Sequence, residues 1–157
     1  MAQLCCSLLE NTCGTETMMN VALEIDKLWG ACPVQAVGRI NDNAFSFRAR
    51  YDAWSFGIAA TVEDAVSTPE VEYAGAYGEV GGYEAGYLPE EEAQAIIRCC
   101  AQQYVAARFA RERSVARWRA LEQYAASGPD GIAPELQALI DEQVANLEAP
   151  EARPQRA

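Results

Sequence analysis

PVQAVGRINDNAFSFRARYDAWSFGIAA, residues 33–60, alternates apolar and polar side chains with a period of two. Val34, Ala36 and Ile40 alternate with Gln35 and Arg39. Phe45, Phe47 and Ala49 alternate with Ser46, Arg48 and Arg50, and Trp54, Phe56 and Ile58 with Ser55 and Gly57. Successive side chains on a strand point to opposite faces, so this pattern predicts a three-stranded antiparallel meander with one apolar face. A two-residue loop at Asp42-Asn43 sets Ile40 opposite Phe45. A two-residue loop at Tyr51-Asp52 sets Ala49 opposite Trp54 and Phe47 opposite Phe56. Both registers keep the large apolar residues together, whereas a slip of one residue would set them against polar ones. The middle strand is then Ala44 to Arg50.

Outward from the meander the period changes. Between Thr15 and Trp29, Met18, Val21, Ala22, Ile25, Leu28 and Trp29 recur at helical spacing, and Gly30 and Pro33 end the predicted helix. Leu4, Leu8 and Leu9 fit a short helix before it. Residues 61–88 are rich in Gly, Ala, Glu and Tyr and read as a long loop, with room for a short strand at Val71 to Ala74. Leu88-Pro89 opens a helix whose first turn carries Glu90, Glu91 and Glu92, which complement the positive helix end. It runs to Ala126 and stops at Ser127-Gly128-Pro129. Its apolar stripe begins Ala93, Ile96, Ile97, Cys100, Tyr104, Ala107 and resumes at Val115, Trp118, Leu121. Arg111 falls within that stripe, which implies a kink there, a buried acidic partner or a snorkelling stem, the kink or the stem being favoured. A last helix begins near Pro134 with Leu136, Leu139, Ile140, Val144 and Leu147 on one side. The fold class is therefore α+β, a three-stranded meander packed against several helices. A single domain covers residues 1–149, followed by a polar tail at 150–157.

Composition narrows the chemistry. The chain has 157 residues, half of them hydrophobic, which is enough for one domain with a real core. The apolar runs are short, and neither a membrane span nor a signal segment is read, which places the chain in a cytoplasm. In that compartment Cys5, Cys6, Cys13, Cys32, Cys99 and Cys100 read as reduced thiols. With no histidine, the commonest general base and the Ser-His and Cys-His pairs are missing. The cysteines show no Cys-x-x-Cys spacing, and no Gly-rich phosphate loop with Lys-Ser/Thr occurs, so no metal, cofactor or catalytic residue is assigned. Hydrolysis by paired carboxylates stays open as a minor alternative, with no pair singled out.

Net charge is −11 and is unevenly spread. The 47 positions from Tyr51 to Ile97 hold ten acids and no basic residue. Arginines then cluster from Arg98 to Arg119. Such a chain should repel free nucleic acid and be drawn to basic surfaces. The acidic interval also carries Tyr73, Tyr77, Tyr83 and Tyr87, and tyrosine with glycine is the chemistry of adaptable binding loops. The candidate partner-binding residues are Glu70, Glu72, Tyr73, Tyr77, Glu79, Tyr83, Glu84 and Tyr87. A second candidate is the row Arg39, Arg48, Arg50 on the polar face of the meander, suited to a phosphate or carboxylate unless the chain's own acids neutralise it. The third is the segment 108–119, for which Glu112, Glu122 and the last helix are potential internal partners.

The stretch AFSFRARYDAWSFGI, residues 44–58, resembles a hairpin of small phage and prophage proteins, and YEAGYLPEEEA, residues 83–93, is similar in flavour. Some small acidic phage proteins of this sort are anti-CRISPR inhibitors, which share no common fold or motif. The resemblance covers about a third of the chain and carries no active site. It implies a non-enzymatic inhibitor whose acidic surface occludes the basic, nucleic-acid-binding surface of a partner protein. The alternative is a phage or bacterial regulatory adaptor, as a monomer or a dimer, that docks through its helices. Neither reading involves a membrane.

Overall fold

A computed structural model describes residues 21–128 and 131–149. It contains strands β1 (Leu23–Trp29), β2 (Val34–Ile40), β3 (Asn43–Arg50), β4 (Ala53–Ala59) and β5 (Val71–Ala76). The helices are α1 (Val62–Ser67), α2 (Glu90–Ala126) and α3 (Pro134–Glu148), with a 3-10 turn at Glu84–Tyr87. The strands form one antiparallel sheet in the order β1-β2-β3-β4-β5. The α+β class holds, and the expected three strands are the centre of a five-stranded meander.

The expected helix over Thr15–Trp29 is corrected where it can be seen, since residues 23–29 are β1. A β-bulge explains the misreading. The pairing skips between Ile25 and Lys27, so Asp26 is the extra residue. Leu23 and Ile25 lie on one face, and after the bulge that face resumes at Leu28, paired with Ala36. One inserted residue turns a spacing of two into a spacing of three, which imitates a helix. The earlier part of that segment, Leu4, Leu8, Leu9 and the tail at 150–157 lie outside the described residues.

The hairpin β3–β4 has the expected register, with Ala49 opposite Trp54 and Phe47 opposite Phe56. The hairpin β2–β3 does not. Ile40 faces Asn43, Gly38 faces Phe45, and the loop is Asn41-Asp42. The shift is two residues, so every side chain keeps its face. Asn41 takes the left-handed backbone that starts this turn, at φ 52°, and asparagine tolerates that conformation better than most residues.

One face of the sheet is the core. Phe45, Phe47, Phe56, Ile40, Ile58 and Ala36 are buried. Phe45 stacks on Phe56 at 5.0 Å between centroids, and Phe47 meets Trp54 at 6.4 Å, both as diagonal neighbours across the β3–β4 pair. Gly75 lies opposite Trp54, and a Cβ there would come within 2.6 Å of the indole, so the strand needs glycine at this point. The start of α2 belongs to the same unit, and its Ala93, Ile97, Cys100 and Ala101 are buried.

Residues 61–88 are more structured than a loop. Thr61 caps α1, its hydroxyl oxygen accepting from the Asp64 N–H at 3.1 Å, and Glu63 and Asp64 occupy the first turn. This helix packs on β3 and β4 on the sheet's other face. A Cβ on Gly57 would lie 2.2 Å from the Ala65 carbonyl oxygen, which shows how closely α1 approaches. β5 then pairs along β4 from Val71 to Ala76.

The chain divides into two compact units, one through Gln103 and the other from Tyr104 onward, with the division inside α2. In the second unit the end of α2 pairs with α3. The Gln137 amide donates to Glu122 Oε1 and to Asp141 Oδ1, both at 3.0 Å. Ile140 and Val144 are buried, as the stripe of the last helix predicts. α2 is assigned as helix through Arg111, which is half-buried. No helix among the described residues is long and apolar enough to cross a membrane.

Phe47 sits at the centre of the buried face at 1% exposure. Replacing it with alanine should cost about 3–5 kcal/mol of unfolding free energy in urea denaturation. A loss below 1 kcal/mol would mean that the core does not depend on this face.

Candidate functional site

Five of the eight candidate residues gather at one end of the sheet, and backbone bonds build that end. The Tyr77 N–H donates to the Asp52 carbonyl at 2.8 Å, and the Ala85 N–H donates to the Tyr51 carbonyl at 2.9 Å. The Gly81 N–H donates to the Asp52 carboxylate at 2.7 Å. On the other side, the Cys32 N–H donates to the Gly86 carbonyl. The segment from Tyr77 to Tyr87 is thus tied to the β3–β4 turn and to the β1–β2 turn.

Tyr51 is central to this arrangement. It starts the β3–β4 turn with φ 58°, a conformation unusual for a bulky side chain and costing roughly 1–2 kcal/mol. Its ring is gripped on two sides. The Arg50 guanidinium lies 4.4 Å from the ring centroid, and Tyr83 meets it edge-on at 5.8 Å. These contacts and the bond from Ala85 offset the cost. Tyr51 was absent from the residues expected from sequence, although its place in a two-residue turn marked it for the end of the sheet.

The tethered segment displays apolar and aromatic surface. Val80 is 99% exposed, Tyr83 61% and Tyr87 66%. Glu79 and Glu84 are exposed between them, and Glu90 and Glu91 follow at the start of α2. Tyr77 is turned inward instead. Its hydroxyl donates to Glu92 Oε2 at 2.7 Å, which locks the end of β5 to the first turn of α2. That hydrogen bond, with partial burial and the nearby carboxylate charge, raises the Tyr77 pKa above its ordinary value.

The other three candidates lie elsewhere. Tyr73 is on the core face of β5, beside Phe56 at 6.4 Å, and supports packing. Glu72 lies on the opposite face, across from Gly57. Glu70 begins the β4–β5 pairing at the far end of the strand, its N–H donating to the Ile58 carbonyl. The interval that was uniform in sequence is divided by the fold among two faces and two ends.

The basic elements also separate. In the helical segment, Arg108 pairs with Glu112 and Arg119 with Glu122, each at 3.1 Å. Glu122 also accepts from Gln137, and that bond leads in holding its carboxyl pKa below the usual value, with Arg119 assisting. Part of segment 108–119 is therefore neutralised within its own helical unit. Arg39, Arg48 and Arg50 are exposed on the sheet, and no carboxylate among the described residues lies within 4.0 Å of them. Among the described residues, no ion pair neutralises that row.

Among the described residues, no three Cys, Asp or Glu side chains gather as a metal set, and no charged side chain is buried. What the tethered end offers is contact chemistry, with aromatic area, carboxylates and an ordered backbone. Comparison with protein-family models, with curated proteins and with solved structures finds no match.

The Tyr77–Glu92 bond can be tested through pH. A tyrosine whose folded pKa is raised contributes stability below its unfolded pKa, near 10, and loses that contribution as pH rises through the folded value. Tyr77→Phe should cost about 1 kcal/mol at pH 7, and the difference from wild type should shrink above pH 10. A difference that stays constant through pH 11 would exclude an ionisation-linked contribution.

Proposed function

We propose that the protein is a non-enzymatic binding protein whose acidic, tyrosine-bearing sheet end occludes a basic surface on a partner protein, of the kind that handles nucleic acid. The observation that carries this reading is the display of Val80, Tyr83 and Tyr87 on a segment held by backbone hydrogen bonds, with Glu79 and Glu84 among them. A fixed loop pays less ordering entropy on binding than a free one. Aromatic side chains supply contact energy at interface centres, while carboxylates steer a basic partner and raise its association rate. The resemblance of residues 44–58 and 83–93 to phage hairpins supports a phage-encoded, anti-CRISPR-type inhibitor as the specific form.

A second reading has its own support in the helical unit. Phe109, Leu121, Leu139 and Tyr124 are exposed there, Tyr124 at 79%. A regulatory adaptor docking through its helices would use such residues. Salt separates the two modes, because charge-steered binding weakens as salt rises and apolar helix docking does not.

The immobilised chain should capture a nucleic-acid-binding protein from a bacterial lysate after nuclease treatment, and 0.5 M salt should release it (about a 3 Å Debye length at 1 M, roughly 10 Å at 0.1 M). Substituting Glu79→Gln, Glu84→Gln, Tyr83→Ala and Tyr87→Ala together should reduce capture at least tenfold and leave the fold intact, since these side chains are exposed. Undiminished capture by that variant would reject the sheet end. If Phe109→Ser and Tyr124→Ser abolished capture instead, the helical reading would replace it.

A further inference from the structure

The sheet has a second face, and the strand pairing defines what lies on it. One line across the five strands reads Trp29, Gln35, Arg48, Ser55, Ala74. Lys27 lies two positions from Trp29 on the same face, because the bulge at Asp26 resets the alternation of β1. Its ammonium sits 5.0 Å from the Trp29 ring centroid. Arg50 follows Arg48 on the same side of β3, roughly 7 Å further along the strand. α1 packs over the Gly57 corner of this face, while Lys27, Arg48, Arg50, Ala53, Ala74 and Ala76 are exposed.

The occupant can be argued from what this face has and what it lacks. A protein interface draws its energy from large buried anchors near its centre. Here β4 and β5 present Ala53, Ser55, Ala74 and Ala76, and the centre is Ser46 and Arg48. Single-stranded nucleic acid asks for something different. It needs cations that track a phosphate chain, an aromatic ring on which a base can stack, and small side chains that allow close approach. The face supplies all three, with hydroxyl and amide donors at Ser55 and Gln35.

We propose that the open face of the sheet binds single-stranded nucleic acid, with Lys27, Arg48 and Arg50 on the phosphates and Trp29 as the stacking platform. The net charge of −11 argues for repulsion of free nucleic acid, but it describes the molecule as a whole. The face itself also carries Glu24, across from Arg39, and Glu72, across from Gly57, against the four cations Lys27, Arg39, Arg48 and Arg50. At physiological ionic strength the Debye length is about 8 Å, so acids elsewhere on the molecule are screened and this local excess of cations decides the contact. Duplexes have no free base face for Trp29, so single strands are preferred.

The test is fluorescence anisotropy of the full chain with a labelled single-stranded oligothymidine of roughly 15 nucleotides, beside a duplex of equal length. The single strand should bind at least tenfold more tightly than the duplex. With three phosphates engaged, affinity should fall about tenfold between roughly 0.1 and 0.3 M salt. Arg48→Glu with Arg50→Glu should weaken binding at least tenfold, and Trp29→Ala at least fivefold, with unchanged circular dichroism. If the charge reversal unfolds the chain, Arg48→Gln with Arg50→Gln should still show the loss. Glu79→Gln with Glu84→Gln should bind like wild type, which separates this surface from the acidic end. No binding at about 50 mM salt, equal binding of the duplex, or full affinity in the arginine variants would overturn the proposal. Displacement of the oligonucleotide by polyglutamate at matched charge would overturn it too, and would make the face a site for acidic polypeptide.

Discussion

Burying Phe45 and Phe47 on one side of β3 commits Ser46, Arg48 and Arg50 to the other, because alternate side chains on a strand share a face. The neighbouring strands inherit this division through their pairing. Phe56 must lie opposite Phe47, so Ser55 must lie beside Arg48. Ala36 must lie opposite Phe47 on the other side, so Gln35 must lie beside Arg48 as well. The core and the arginine surface are therefore one constraint seen from two sides. A slip of one residue in either hairpin would bury guanidinium groups and expose phenyl rings, at a cost of several kcal/mol for each misplaced charge.

That constraint also explains which parts of the fold were legible in the sequence. Face assignment was robust, since even the misplaced Asp42-Asn43 turn differed from the true Asn41-Asp42 turn by two residues and moved no side chain across the sheet. Turn position was not, because Asn41, Asp42 and Asn43 all suit a tight turn and only the backbone shows that Asn41 takes the positive φ. β1 failed for a different reason. Asp26 as a bulge gave Ile25 and Leu28 a spacing of three, and no composition signal separates a bulged strand from a short helix. α1 did leave a signal, in Thr61 and Asp64 at the spacing of a helix cap, but six residues are too few for a periodic pattern.

The candidate site was legible in chemistry and not in location. Ten acids without a base announced an unusual surface, yet a linear run cannot show which of its members share a neighbourhood. β5 sends Tyr73 toward Phe56 and Glu72 to the opposite face. The following segment turns back over Asp52 and Tyr51, so Glu79, Tyr83 and Glu84 join a turn nearly thirty residues earlier in the chain. Tyr51 entered the site through that long-range tether. Its left-handed backbone is stabilised only once Ala85 donates to its carbonyl and Arg50 and Tyr83 hold its ring.

Arg50 is where the two surfaces meet. It belongs to the basic face by strand alternation, and it reaches the sheet end by lying over the Tyr51 ring. A cation over an aromatic face contributes about 0.5–1 kcal/mol at an exposed site, comparable with the cost of the Tyr51 backbone. Arg50 cannot serve both surfaces fully at once. Drawn toward a phosphate, it leaves the ring of Tyr51 and weakens the support for Tyr83. Held on Tyr51, it leaves Arg48 and Lys27 to meet the anion without it. The two proposed binding surfaces would thereby be coupled through one side chain, with a negative sign. Its size is bounded by the cation–π energy, so occupancy of one proposed surface would change affinity at the other by no more than about fivefold.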